Sequence, residues 1–173
     1  MPRPTLREGE YRYRLDETPQ GGGRGRVAII QMNPSLADGN RSDPTVGKIK
    51  VWAEGNYGLI VFLNLYAFVH PKQDEIPVMD YLRLVGPRND SVIRDEVASA
   101  DKVIVAWGRP KGILKTHYLR RVSEVFEILD GIRIFRVGGL SHGKYPRHGR
   151  MWNEGNRNEV AISLEDLRST RSA

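Results

Sequence analysis

The stretch Val27-Ala28-Ile29-Ile30-Gln31-Met32-Asn33-Pro34-Ser35-Leu36-Ala37-Asp38 decides the fold, because an unbroken apolar run passes directly into a polar, proline-closed loop. Continuous rather than alternating apolar residues mark a strand covered on both faces, as inside a parallel sheet. Three more runs follow: Leu59–Leu65, Val103–Trp107 and Ile132–Val137. The last carries Arg133 and Arg136 and reads as a sheet edge, where charge is tolerated. Helical spacing falls between the runs at Thr45–Asn56, Asp90–Ala100 and Ile113–Leu129. Asp43 or Thr45 is the expected cap of the first helix and Gly55 its stop, while Asp130-Gly131 closes the third. Strands alternating with helices predict an α/β fold: a short, mainly parallel, roughly four- to five-stranded sheet sandwiched by helices. A further strand is expected at Glu10–Leu15, where Tyr11, Tyr13 and Leu15 alternate with Arg12 and Arg14. The polar tail beyond Asn153 is expected to hold a short helix and to fray from Ser169.

With 173 residues, 39% hydrophobic and 28% charged, the chain can bury a core and is too apolar for wholesale disorder. One domain over residues 1–173 is expected, its core spanning about residues 10–152. The absence of cysteine excludes disulfides, thiolate zinc sites and a cysteine nucleophile. No run approaches the ~18 apolar residues that span a bilayer. Met1–Tyr13 lacks the apolar centre of a signal peptide, so a cytoplasmic setting with no membrane partner is expected. A formal charge of +6 and a pI of about 9.7 suit an anionic partner.

Ligands of open parallel sheets collect outside the carboxyl ends of strands, which singles out the loops after the apolar runs. Asn33 offers a donor and an acceptor beside Pro34 and Ser35, with Asp38 and Asp43 as nearby carboxylates. Asn33-Pro34-Ser35 also reads as a plain turn, and Asp43 as a plain helix cap. The second run ends in Asn64-Leu65-Tyr66 and the third in Ala106-Trp107-Gly108. The last is followed by Gly138–Arg150, which holds His142 and His148, two of the four histidines. Lys144, Arg147 and Arg150 beside Tyr145 and Trp152 suit a polyanion whose bases stack, although a flexible basic loop has the same composition. Two histidines six apart make a poor metal signature, and no metal or cofactor is expected. Three other motifs fail on context. The Gly21–Gly25 run precedes a strand, Gly47-Lys48 lacks the rest of a P-loop, and Ser35 lacks the glycines of a nucleophile elbow.

The blocks Met32–Asp38 with Asp43-Pro44-Thr45, Asn64-Leu65-Tyr66-Ala67-Phe68, Val85-Gly86-Pro87, Ala106-Trp107-Gly108 and Gly143-Lys144-Tyr145-Pro146-Arg147-His148 occur in order. Over Tyr11 to Trp152 the chain resembles domain-of-unknown-function family 1643 of bacteria and phages. It departs at Gly149, where a proline is expected after the histidine. The blocks also resemble, more distantly, the uracil-DNA glycosylase superfamily. There an Asn-Pro or Asp-Pro motif follows the first core strand, a later strand ends in Trp-Gly, and a histidine loop follows the last.

That second resemblance implies a three-layer α/β/α fold and a DNA glycosylase-like enzyme that cleaves the N-glycosidic bond of a damaged or modified base. It implies Asn33, His148 or His142, and Asp38 as catalytic groups. Pro34, Ser35, Asn64, Tyr66, Phe68, Trp107 and Gly108 would meet the base, and Lys144, Arg147 and Arg150 the phosphates. The chemistry is coherent, since such cleavage builds positive charge on the sugar and negative charge on the leaving base. A polar group on the first loop would position water, and a histidine on the last would steady the departing base. DNA is the expected partner. Two alternatives remain: a non-catalytic nucleic-acid or nucleotide binder, and a hydrolase or transferase acting on free nucleosides or modified bases.

Overall fold

The computed structural model describes residues 1–34, 43–69, 79–152 and 154–168. Ser35, Asp38 and the tail from Ser169 lie outside the described residues. The chain runs β1 (Leu6–Glu8), β2 (Tyr11–Glu17), β3 (Arg26–Gln31), α1 (Pro44–Ala53), β4 (Leu59–Asn64), α2 (Tyr81–Val85), α3 (Asn89–Ala98) and β5 (Lys102–Val105). It continues with α4 (Lys115–Ile128), β6 (Ile134–Val137), β7 (Leu140–Ser141), β8 (Tyr145–Pro146), β9 (Glu159–Ile162) and α5 (Leu164–Arg168). The four apolar runs are β3, β4, β5 and β6, and the three helical stretches are α1, α3 and α4.

The fold is α/β with a mixed sheet. Among the described residues seven strands, not four or five, pair in the order β1-β2-β4-β3-β5-β6-β9. The central β4-β3-β5-β6 ladder is parallel, while β2 joins β4, and β9 joins β6, antiparallel. β6 is therefore not an edge, which corrects the expectation drawn from its arginines. Glu159–Ile162 covers it, from Ile134 opposite Ile162 to Val137 opposite Glu159. Its arginines are accommodated locally: Arg136 donates to the Gly138 carbonyl, and the Arg133 guanidinium lies 5.2 Å from the centre of the Phe135 ring.

Both faces of β3 are buried, as its unbroken apolar run requires. Ala28 and Ile30 join a cluster with Val92, Ile93 and Val97 of α3 and Val122, Val125 and Phe126 of α4. Val27 and Ile29 join another with Ile49, Trp52 and Ala53 of α1 and with Trp152. Each such aliphatic side chain contributes about 1.5–3 kcal/mol on burial, so these runs dominate the cohesion of the sheet.

The carboxyl end of β4 is closed by polar side chains rather than by another strand. Asn89, fully buried, donates to the carbonyls of Asn64 and Leu65 at 3.0 Å each. Arg121, also fully buried, donates its Nε to the Leu65 carbonyl at 2.6 Å. Its Nη1 lies 2.7 Å from Asp90 and 3.3 Å from Glu124, which compensates the buried charge.

At the opposite end of the strands three arginines converge on two carboxylates. Arg3 reaches Asp16 at 2.8 Å and Glu96 at 2.9 Å, Arg14 reaches each at 3.2 Å, and Arg26 also pairs with Glu96. This network joins the N-terminal segment, β2, β3 and α3. Desolvation lowers the pKa of Arg14 and of Arg26. No helix among the described residues is long and apolar enough to cross a membrane.

Candidate active-site cleft

Parallel strands that end together leave a crevice beyond their carboxyl ends, and here it opens beyond β3 and β5. A cleft of about 470 Å³ is lined by Gln31, Met32, Asn33, Asp43, Thr45, Trp107, Gly108, Arg109, Lys111, Ser141, His142, His148, Arg150 and Met151. Asn33, His142, His148, Trp107, Gly108 and Arg150, chosen from sequence, therefore share one cavity. Among the described residues the half-buried Asn33 amide makes no hydrogen bond, so it is available to a ligand.

Each wall has a local cause. Asp43 caps α1 by accepting the Thr45 N–H at 2.7 Å, and Pro44 opens the helix with no N–H to satisfy. Trp107 is core, 1% exposed, with its ring 6.1 Å from Phe126. The next residue, Gly108, has φ +70° and its α-carbon faces His148 closely: a Cβ there would lie 3.2 Å from the His148 Cβ. Gly108 N–H donates to the Pro146 carbonyl at 2.9 Å, and the Tyr118 hydroxyl donates to the Gly108 carbonyl at 3.2 Å. The third strand's loop is thereby tied to the last loop.

His148 is held by its own chain. Its Nδ1 accepts the Arg150 N–H at 3.2 Å, capping the single 3₁₀ turn Gly149–Met151. With Nδ1 accepting, the neutral ring carries its proton on Nε2 and is a donor there. Burial, followed by the charge of Arg150, lowers the His148 pKa against an opposing pull from Asp43, which favours that neutral donor. Gly149, where the resemblance called for proline, has a packing role: a Cβ would sit 2.4 Å from Ile49 Cδ1. Glycine lets the turn dock on α1. Lys48 of α1 also donates to the Arg150 carbonyl at 2.8 Å.

His142 stands on the β7–β8 hairpin. His142 and Gly143 both have positive φ, 52° and 67°, and Lys144 N–H donates to the Ser141 carbonyl at 3.1 Å, the pattern of a type I′ turn. His142 Nε2 lies 3.5 Å from an Arg109 guanidinium nitrogen.

Other sequence candidates stand elsewhere. Asn64, 3% exposed, pairs in register with Gln31 one strand away; it does not line the cleft, and its Oδ1 is buried without a partner. Tyr66 is 1% exposed, with its ring edge-on to Tyr81, and burial raises the pKa of its hydroxyl. Phe68 packs edge-on against Tyr11 under Arg83. Neither aromatic is placed to stack on a ligand in the cleft. Pro34 is buried. Lys144 and Tyr145 line a separate recess of only about 30 Å³, and Arg147 lines neither cavity. Trp152 is 3% exposed and lies 4.9 Å edge-on to Trp52, so it anchors the loop rather than presenting a stacking face.

The sequence candidates omitted Gln31, Arg109, Lys111 and Met151 from the site, whereas Asp43, read both as a nearby carboxylate and as a helix cap, is both. Arg109 and Lys111 had a signal available, since they follow Trp107-Gly108 on a loop already singled out. Among the described residues no group of three or more His, Asp or Glu could hold a metal ion.

Fold and cleft together define an α/β protein with a polar, cation-rimmed cavity at the carboxyl ends of its parallel strands. The family model described as a protein of unknown function, DUF1643, matches residues 12–149, and the chain belongs to that family. No curated protein and no solved structure matches it.

Proposed function

We propose that the cleft binds a nucleobase in DNA and cleaves its N-glycosidic bond, with a three-layer, glycosylase-like arrangement of helices on both faces of the sheet. The observation that carries this reading is the convergence of Asn33 and a neutral His148 on one cavity rimmed by Arg109, Lys111 and Arg150. In this scheme His148 Nε2–H donates to the base as it leaves with negative charge, a developing anion that a pre-positioned neutral donor stabilises. Asn33 and Asp43 flank the sugar side and orient the attacking water.

Two observations favour the non-catalytic alternative. The Asp43 carboxylate is engaged in capping α1, and Asn33 stands where an acid would activate water more strongly.

Abasic-site formation across uracil-containing, otherwise deaminated and hypermodified DNA separates the two. Base release from at least one substrate, abolished in Asn33→Ala and in His148→Ala, is the expected result. Tight binding to every substrate with no base released would leave the binder. Full activity in either variant would remove the role assigned to that residue.

A further inference from the structure

We infer that Arg109, Lys111 and Arg150 form a phosphate clamp at the mouth of the cleft, with Arg109 backed by His142. This deepens the proposal above and rests on it, since it names the group adjoining the bound base as a phosphate ester. Three observations converge. First, all three cations line the same cavity, and among the described residues none of them forms an ion pair. Elsewhere Arg3, Arg14, Arg26, Arg83, Arg88, Arg120 and Arg121 are all paired with carboxylates. Second, the only described carboxylate on the cleft wall, Asp43, already holds the Thr45 N–H. It caps the α1 N-terminus, so an anion is directed to the cationic side instead. Third, two of the three stand on fixed backbone. Arg109 follows Gly108, whose N–H and carbonyl are both hydrogen-bonded, and Arg150 has its N–H bound by His148 and its carbonyl by Lys48.

Like charges gathered without counter-charges repel one another, and a bound anion relieves that repulsion. Guanidinium groups match phosphate oxygens in two-point geometry, whereas a lysine contributes a point charge. Arg109 lies 3.5 Å from His142 Nε2, so the two side chains share one wall of the cleft. The phosphate could come from a nucleic-acid strand or from a free nucleotide, and the chemistry of the clamp is the same for both.

The test titrates the full chain against a labelled single-stranded oligonucleotide and, separately, a nucleoside monophosphate, between about 50 and 200 mM salt. Wild type is compared with Arg109→Ala/Lys111→Ala/Arg150→Ala and with Arg94→Ala, which removes an exposed charge on α3, a helix that contributes no residue to the cleft lining. A strand in the clamp predicts that the triple variant loses on the order of a hundredfold in affinity. Its salt slope should then fall by about 2, while Arg94→Ala matches wild type. A free nucleotide in the clamp predicts the same ordering for the monophosphate, with no preference for the strand. Equal binding by triple variant and wild type overturns the clamp, as does wild type binding neither probe. Base release, scored separately, keeps the two proposals apart. Binding lost in the triple variant with no base ever released retains the clamp and drops the chemistry. Base release that survives in the triple variant at unchanged KM retains the chemistry and drops the clamp.

Discussion

Two arginine-rich regions lie at opposite ends of the same parallel strands and are built in opposite ways. At the amino ends, Arg3, Arg14 and Arg26 are neutralised by Asp16 and Glu96 in a largely buried network. At the carboxyl ends, Arg109, Lys111 and Arg150 form no ion pair among the described residues and open into a cleft. Charge used for structure is compensated within the chain, because an uncompensated buried ion is costly. Charge left without a partner in a cavity is free to meet a ligand. The net +6 of the chain thus understates how unevenly its positive charge is distributed.

Removing the shared carboxylate should break the contrast most severely. Glu96→Ala leaves three arginines facing Asp16 alone and is expected to destabilise the fold by about 3–5 kcal/mol, measured by urea unfolding. Alanine at Arg109 or Lys111 should change stability by no more than about 0.5 kcal/mol in the same experiment. A loss at Arg109 comparable to that at Glu96 would mean that the cleft cations are structural too.

The docking of the histidine turn on α1 is the next test. Gly149→Ala should cost about 1–3 kcal/mol, because its Cβ would meet Ile49 Cδ1 at 2.4 Å. Pairing it with Ile49→Val, which deletes that methyl, should return part of the loss as a non-additive coupling in a double-mutant cycle. Strict additivity would show that the turn adapts by moving elsewhere.

The smallest effect concerns pH. The His148 pKa is lowered in the folded state, chiefly by burial, so below the ordinary histidine value the unfolded chain binds the proton more readily. Stability should therefore fall as pH drops from about 6.5 toward the lowered folded value, and be fully present above that window. His148→Asn, which keeps an oxygen able to accept the Arg150 N–H, should flatten this slope. An unchanged slope would assign the dependence to another group.

Much of the architecture was legible because burial on two faces leaves a mark on sequence. β3, β4 and β5 appear as continuous apolar runs, and α1 announces itself through Asp43-Pro44-Thr45. The strand β9 was not legible. Glu159-Val160-Ala161-Ile162 is short and polar at its start, and it becomes a strand only by pairing with β6. Arg121 sits in α4 among charged residues and reads as part of a solvated face, yet it is fully buried. Its burial is legible only once the Leu65 carbonyl is seen to need a donor. Within the cleft, Asn33, Trp107-Gly108 and the histidine loop were legible because polar residues after buried strands stand out. Tyr66, Phe68 and Trp152 were not, because an aromatic side chain looks the same in sequence whether it stacks on a ligand or packs in a core.

By itself the sequence determined that the chain forms an α/β sheet with apolar central strands, and that polar loops follow those strands. It did so through periodicity and capping, both properties of neighbouring residues. Tertiary structure alone decided which loops meet, which positive charges find a carboxylate, and that His148 is buried against the cleft beside Gly108. Those outcomes depend on groups far apart in the chain, whose distances are set by strand order and by helix packing.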